Sequence, residues 1–274
     1  MVFDASDRTT IWGGANLYQL WHKRLQVLVS YLVFASAIAI LTWVLLVTAS
    51  YLLSLNRDVI ENIPVSVVVG LGVAALMLLV SKWVSVVGFD FEPIGDAVLE
   101  ARVKTVLEAI CTQVGVQIPL LAEIKTPAIE VASFKKGGEP LVVLSSGALE
   151  SLSVLELEAV LAREIAKVRS GLSDYDAYLS LPRRLLALVT LGAYPESVTL
   201  PMAQEIMLVD VASLSITRFP PALILVLKKI RDEGVFFELE GAAAKGSSWL
   251  WLNPPLLKGS KALLEDRIAQ LEEW

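Results

Sequence analysis

The chain has 274 residues, of which 55% are hydrophobic, and 29 acidic against 23 basic side chains give a formal net charge of −6. This content is too apolar for an ordinary soluble domain and indicates a lipid-facing part. The acidic balance leaves no basic stripe of the kind that phosphate backbones require, so we expect no nucleic-acid partner. Cys111 is the single cysteine, which excludes an intrachain disulfide.

Two uncharged stretches lie near the N-terminus, at residues 25–56 and 62–81. Each is long enough to cross a bilayer core, which needs about 20 apolar residues per helix. A signal peptide has a much shorter apolar core, and a buried soluble helix pair is the other alternative. We therefore predict a transmembrane hairpin over residues 25–89, with Trp21 and Trp83 at the lipid interface.

The charges that flank this hairpin predict its orientation. Arg8, Lys23 and Arg24 precede the first span and Lys82 lies near the end of the second, whereas Arg57 is the one basic residue in the connecting loop. Cytoplasmic loops carry the excess of basic residues. We expect a multi-pass protein of the cell (inner or plasma) membrane, with the N-terminus and the C-terminal part both cytoplasmic.

After an N-terminal segment (1–24) and the hairpin, residues 90–274 are predicted to form one soluble domain of the α+β class, mainly helical with a small β-sheet. Residues 131–134 and 141–144 are β-rich and are joined by Lys-Lys-Gly-Gly, which indicates a β-hairpin. Residues 121–124 are a third candidate strand. Helices are predicted over residues 94–114, from Ser153 onward, and over residues 205–216, 222–230 and 263–274. The apolar run 179–191 contains Pro182, Arg183 and Arg184, which disfavour a third span.

The helix after Ser153 has a strong start signal. Ser153-Val-Leu-Glu156 fits the capping box, in which the serine and the glutamate side chains each accept from the other residue's backbone amide. An apolar stripe on this helix is predicted to face the core: Leu157, Leu161, Ile165 and Val168. Arg163 and Lys167 are four residues apart, so they share a different face.

Residues 141–167, which contain Leu-Glu-Ala-Val-Leu-Ala-Arg-Glu-Ile-Ala-Lys at their end, resemble the HtpX type of membrane zinc metalloproteases. In that family a strand and a Gly-Leu-Leu helix lead into Glu-Leu-x-x-Val-Leu-Ala-His-Glu-x-x-His. Arg163 and Lys167 stand where the family has its zinc-binding histidines, and Glu164 matches the general base.

Two later segments support the resemblance. Asp210 and the helix after Pro220 are similar to the family's Glu-x-x-Ala-Asp helix and its successor. In that register the third zinc ligand, a glutamate, falls on Ile206, and Glu205 is one position off. Residues 253–255 and 267–271 are similar to the family's His-Pro-Pro and Arg-Ile-x-x-Leu ending, with Asn253 in place of the histidine.

The resemblance implies a gluzincin-type domain whose catalytic site is vestigial. Catalytic zinc needs three protein ligands drawn from imidazole, thiolate or carboxylate, and the chain holds one histidine, His22, and one cysteine. Arginine and lysine are cationic donors that repel a divalent metal. We expect no metal or other cofactor and no catalytic residue. The vestigial site comprises Arg163, Glu164, Lys167, Glu205, Ile206 and Asp210.

One hypothesis concerns what replaced the metal. The cations of Arg163 and Lys167 are proposed to occupy the former zinc position and to pair with carboxylates such as Glu164, Glu205 or Asp210. Fixed cations in that place would hold two helices together as the ion does in the family. The alternative is a solvated polar helix face with no role between helices.

The sequence favours a membrane-anchored, proteolytically inactive protein that acts as a binding, scaffold or accessory subunit. Its partners are then the lipid bilayer and a membrane protein or larger membrane complex. Trp249, Trp251 and Trp274 are candidate contact residues, with packing inside the domain as the alternative. A second interpretation is a membrane-bound peptidase or hydrolase with a non-standard active site, for instance Ser145 or Ser146 with Lys167. A third is a regulator that competes with an active relative for substrates.

Overall fold

The computed structural model describes residues 11–53, 59–190, 196–235, 237, 247–254 and 260–274. It divides into two compact units, Met1–Lys82 and Trp83–Trp274. Arg8 and Arg57 lie outside the described residues. Trp21, His22, Lys23 and Lys82 lie outside those whose side chains are described. The orientation and the boundaries drawn from the sequence therefore stay predictions.

The first unit consists of two long apolar helices. They are α1 (Ile11–Leu52) and α2 (Ile63–Val84), with a 3-10 turn at Val59–Asn62 between them. They contain candidate membrane spans at Arg24–Leu52 and Val59–Ser81, with mean hydropathies of 2.4 and 2.6. Only 6% and 17% of these windows are buried inside the molecule, whereas the core helix of a soluble protein is mostly buried. The two predicted N-terminal apolar helices are thus present, and their surfaces are available to lipid.

Small residues bring α1 and α2 close together. A Cβ added at Gly70 of α2 would lie 2.5 Å from the carbonyl oxygen of Ala35 and 2.9 Å from the Cβ of Ala39. Tyr31 and Ala74 are buried in the same contact. Because lipid tails are as apolar as the side chains, helices in a membrane associate through such close packing rather than through the hydrophobic effect.

The second unit contains the small sheet. Its strands are β1 (Leu120–Ile124), β2 (Val131–Lys136) and β3 (Glu139–Ser145), in the order β1-β3-β2. β3 runs parallel to β1 and antiparallel to β2. Gly137 and Gly138 form the turn between β2 and β3 with φ values of 62° and 102°, a region that glycine adopts without steric cost. The predicted hairpin and third strand are confirmed.

Seven helices of the described residues complete this unit: α3 (Ala97–Val114), α4 (Ser146–Ser151), α5 (Val154–Arg169), α6 (Leu172–Val189), α7 (Glu196–Thr217), α8 (Pro220–Glu233) and α9 (Ser260–Glu272).

α5 begins at the predicted capping box: the Ser153 hydroxyl accepts from the Glu156 amide at 3.4 Å, and the Glu156 carboxylate accepts from the Ser153 amide at 2.7 Å. Leu157, Leu161 and Ile165 are buried. α5 packs against the sheet and against α3, α6, α7 and α8, so it is the central helix.

The start of α4 gives a test of this packing. A Cβ at Gly147 would lie 2.0 Å from the carbonyl oxygen of Pro127, which is backbone and cannot rotate away. We expect Gly147→Ala to lower the free energy of unfolding of the full chain in detergent by about 1–3 kcal/mol or more. Gly95→Ala is the control, because nothing lies within 4 Å of its added Cβ. Equal denaturation midpoints for the two variants would contradict this packing.

Candidate functional site

The residues predicted to match the family's catalytic motif are buried inside the second unit. Arg163, Glu164 and Lys167 on α5 are 2%, 0% and 5% exposed. Arg163 Nη1 donates to Glu164 Oε1 at 2.5 Å, and Lys167 Nζ donates to Glu164 Oε2 at 2.9 Å. Lys167 Nζ also donates to the carbonyl oxygen of Leu250 at 3.1 Å. Both oxygens of the Glu164 carboxylate are therefore held by cations.

Asp210 on α7 joins this group to the C-terminal helix. Arg163 Nε donates to Asp210 Oδ1 at 2.7 Å, and Arg267 of α9 donates to Oδ2 at 2.5 Å and to Oδ1 at 3.1 Å. Arg267 also donates to the carbonyl oxygen of Leu252 at 2.8 Å. Burial opposes ionisation of Asp210, but Arg267 and Arg163 outweigh it and hold the pKa of this carboxyl below its ordinary value. One carboxylate thus links α5, α7 and α9.

Glu130, directly before β2, is a third buried carboxyl near this group. Its Oε2 accepts from the backbone amide of Asn253 at 3.1 Å. Burial raises the pKa of Glu130 to about 8, against the lowering effects of the Asn253 amide, Arg267 and Arg163. Glu130 is therefore protonated at neutral pH. The ion-pair cluster, defined as Arg163, Glu164, Lys167, Asp210 and Arg267, then carries three formal positive and two formal negative charges.

The structure brings all six residues of the predicted vestigial site together. The proposed pairing is present, because Arg163 contacts Glu164 and Asp210, and Lys167 contacts Glu164. The alternative of a solvated polar face is wrong, since these side chains are buried. Glu205 and Ile206 line a cavity of about 20 Å³ beside Arg163 and Lys167. That volume holds about one water molecule.

The residues present do not fit a catalytic zinc ion. Arg163 and Lys167 offer only cationic donors, and Ile206 offers no ligand atom. Among the described residues, no group of three or more His, Cys, Asp or Glu side chains is arranged to hold a metal. The donor set at this place is that of an ion-pair network rather than of a metal centre.

The serines considered as nucleophiles have other partners. Ser145 Oγ accepts from the amides of Glu130 at 2.9 Å and Ala148 at 3.0 Å, and so caps α4. Ser146 Oγ donates to the carbonyl oxygen of Thr126 at 2.8 Å. Lys167 is bonded to Glu164 and to a carbonyl. These contacts do not assemble a serine with a lysine base, as a Ser-Lys hydrolase requires.

Two of the tryptophans predicted as contact residues are core residues instead. Trp251 is 0% and Trp249 is 6% exposed. Trp251 packs edge-on against Phe134 and Phe237, and its backbone pairs with Ala132 of β2. Apolar packing in the domain explains both residues, so this prediction is wrong for them. Trp274 is half exposed.

Sequence reasoning missed Glu130 and the role of Arg267. Arg267 was considered only as part of the Arg-Ile-x-x-Leu ending, and Glu130 had no signal beyond being a carboxyl next to a β-rich run. Arg267 is 57 residues from its partner Asp210, and Glu130 is 123 residues from its partner Asn253. A charge match over that separation becomes visible only when the elements are placed in space.

The described residues combine two membrane-compatible helices, a small sheet and a buried Arg-Glu-x-x-Lys helix. No family model matches the chain. A similar protein is Protease HtpX of Photorhabdus laumondii subsp. laumondii, 36% identical over 106 residues, which are 37% of this chain and 36% of that protein. The chain is thus related to the HtpX family, through a match that spans about a third of that relative's length.

Because Arg163 and Arg267 both bind Asp210, we expect neutralisation of Asp210 to lower the free energy of unfolding strongly. Asp210→Asn leaves two buried guanidinium groups with one charged partner fewer, and we expect a loss of about 3–5 kcal/mol in the free energy of unfolding. Asp232→Asn is the matched control, because Asp232 pairs with Arg231 at the surface with its side chain 66% exposed, where a change stays within about 0.5 kcal/mol. Chemical denaturation of both variants at neutral pH is the measurement. Similar losses for the two would refute a buried, shared carboxylate.

Glu130 predicts a pH dependence of stability. In the folded state Glu130 keeps its proton up to about pH 8, whereas the ordinary pKa of a glutamate is 4.5. The folded state therefore binds more protons between these values, and stability falls by about 1.4 kcal/mol per pH unit as pH rises through this window. We expect Glu130→Gln to remove this slope. The free energy of unfolding of the variant then rises relative to that of the natural protein from pH 5 to pH 8. Parallel stability curves over that range would show that Glu130 is ionised in the fold.

Proposed function

We propose that this protein is a membrane-anchored, proteolytically inactive HtpX-like pseudoprotease that serves as a binding, scaffold or accessory subunit of a membrane protein complex. The observation that carries this proposal is the state of Glu164. The carboxylate that matches the general base is fully buried, and cations from Arg163 and Lys167 bond both of its oxygens. A base in that state is closed to bulk solvent and is held in two ion pairs.

The chemistry of the two cations supports the same conclusion. Zinc lowers the pKa of a bound water to about 7 and so creates the nucleophile in this class of enzyme. Arg163 and Lys167 supply positive charge without an open coordination position, so they stabilise the interior but generate no hydroxide. The adjacent cavity of about 20 Å³, which has room for about one water molecule, also supports the proposal.

The anchor remains when the chemistry is lost. The two candidate spans contain no residue of the ion-pair cluster, and we expect them to fix the second unit at a membrane. We place this unit in the cytoplasm, on the basis of the basic residues that flank the hairpin. The partners that this unit binds are then proteins of the same membrane, or protein segments close to the membrane surface.

Zinc binding and proteolysis by the purified full-length protein test this proposal. After equilibration with zinc and removal of free metal, we expect far less than one zinc per chain. With zinc supplied, we expect no cleavage of an unfolded protein such as casein beyond that of the Glu164→Gln variant. The physical reason is that neither variant has ligands to hold the ion or a water-accessible base.

Stoichiometric zinc, or cleavage that Glu164→Gln abolishes, would overturn the proposal and favour the membrane-bound peptidase instead. Extraction in mild detergent adds a second criterion. An accessory subunit migrates in a defined complex larger than its own 29.8 kDa chain and detergent. Migration as a lone chain would contradict the scaffold role, and co-migration with an active protease would assign the complex to regulation.

A further inference from the structure

Helix α6 is attached to the segment that follows the second candidate span. Arg184, 4% exposed, donates through Nη2 to the carbonyl oxygen of Ser85 at 3.0 Å and through Nη1 to that of Val87 at 2.6 Å. It also donates to the hydroxyl of Ser247 at 3.1 Å. A buried guanidinium thus fixes residues 85–87, which begin four positions after the span ends at Ser81, to the last part of α6.

This junction is surrounded by exposed apolar side chains. Leu188 lies one turn beyond Arg184 on the same helix face, and it is 54% exposed, with Val189 at 82%. Val87 is 57% exposed and Trp83 is 62% exposed. The Trp83 ring is held at the turn between β2 and β3, because a Cβ on Gly137 would lie 2.9 Å from it.

We propose that these four residues, Trp83, Val87, Leu188 and Val189, form an apolar end of the second unit that lies in the interfacial layer of the bilayer. This inference rests on the proposed membrane anchoring. Trp83 follows the span by two residues, about 3 Å of helix rise, which keeps it within the headgroup region, about 5–8 Å deep on each side. Val87 is four residues further along the chain. Tryptophan is the side chain enriched at that level.

The sequence and the local charges fit lipid as the occupant. Residues 185–195 contain no charged side chain, so the apolar character continues from α6 beyond Val189. Lys136 and Glu139 are opposite each other in the β2–β3 ladder at the nearby turn, and their formal charges cancel. Burial of apolar surface, rather than attraction to anionic headgroups, is then the driving force. Arg184 has the role of a positioning residue, because it holds α6 against residues 85–87 of the same unit.

Fluorescence quenching in liposomes tests this inference on the full-length protein. Three variants each carry one introduced cysteine, Val189→Cys, Leu45→Cys or Leu225→Cys, which is labelled with bimane. The natural Cys111 is 1% exposed and stays unreactive in the fold. The bilayer contains phosphatidylcholine with a nitroxide at a shallow acyl position. Leu45 lies in the first candidate span, and Leu225 of α8, 52% exposed, is the matched control.

We expect nitroxide lipid to reduce the bimane fluorescence about twofold at positions 189 and 45 and to leave position 225 unchanged, because only the first two contact lipid. Quenching at 45 with none at 189 would overturn this inference and leave the anchoring intact. No quenching at 45 would refute the anchoring and the inference with it. Slow labelling at 189 without quenching would assign the surface to a protein partner, which also overturns the proposal.

Discussion

The second unit depends on Asp210, a buried carboxylate shared by two guanidinium groups. Arg163 comes from α5, Arg267 from α9 and Asp210 itself from α7, so a single acidic group holds three helices at fixed distances. Buried ion pairs add little net stability compared with apolar packing, but the loss of one partner is costly. The pairs therefore specify one arrangement of the helices, while the apolar core around α5 supplies most of the stabilising free energy.

The same charges decide what this place can do chemically. Lys167 and Arg267 donate to the carbonyl oxygens of Leu250 and Leu252, and the Leu252 amide donates to the carbonyl oxygen of Val131 on β2. The cations thus bond the chain's own backbone beside the edge of the sheet. Within the part of the chain that the structure describes, these cations are structural donors that join helices to the sheet.

Features with local causes could be predicted from the sequence. The capping box at Ser153, the Gly137-Gly138 turn and the two uncharged helices depend on neighbouring residues, so a window of the chain contains the whole signal. Burial of the charged face of α5 could not be predicted from such a window. Arg163 and Lys167 on one face suggest solvent until α7 and α9 are placed against it. Glu130 and Trp251 were missed or misassigned for the same reason, since distant elements bury them.

Counting charge shows where the countercharge of the buried carboxylates comes from. Arg163 and Lys167 together carry two positive charges, the same number as one zinc ion, and their side chains are part of the polypeptide from synthesis onward. A structural metal couples folding to ligand deprotonation and metal supply. Here the countercharge for Glu164 and Asp210 comes from Arg163, Lys167 and Arg267. These cations are covalently attached to the chain, so the packing of α5, α7 and α9 itself brings the opposite charges together.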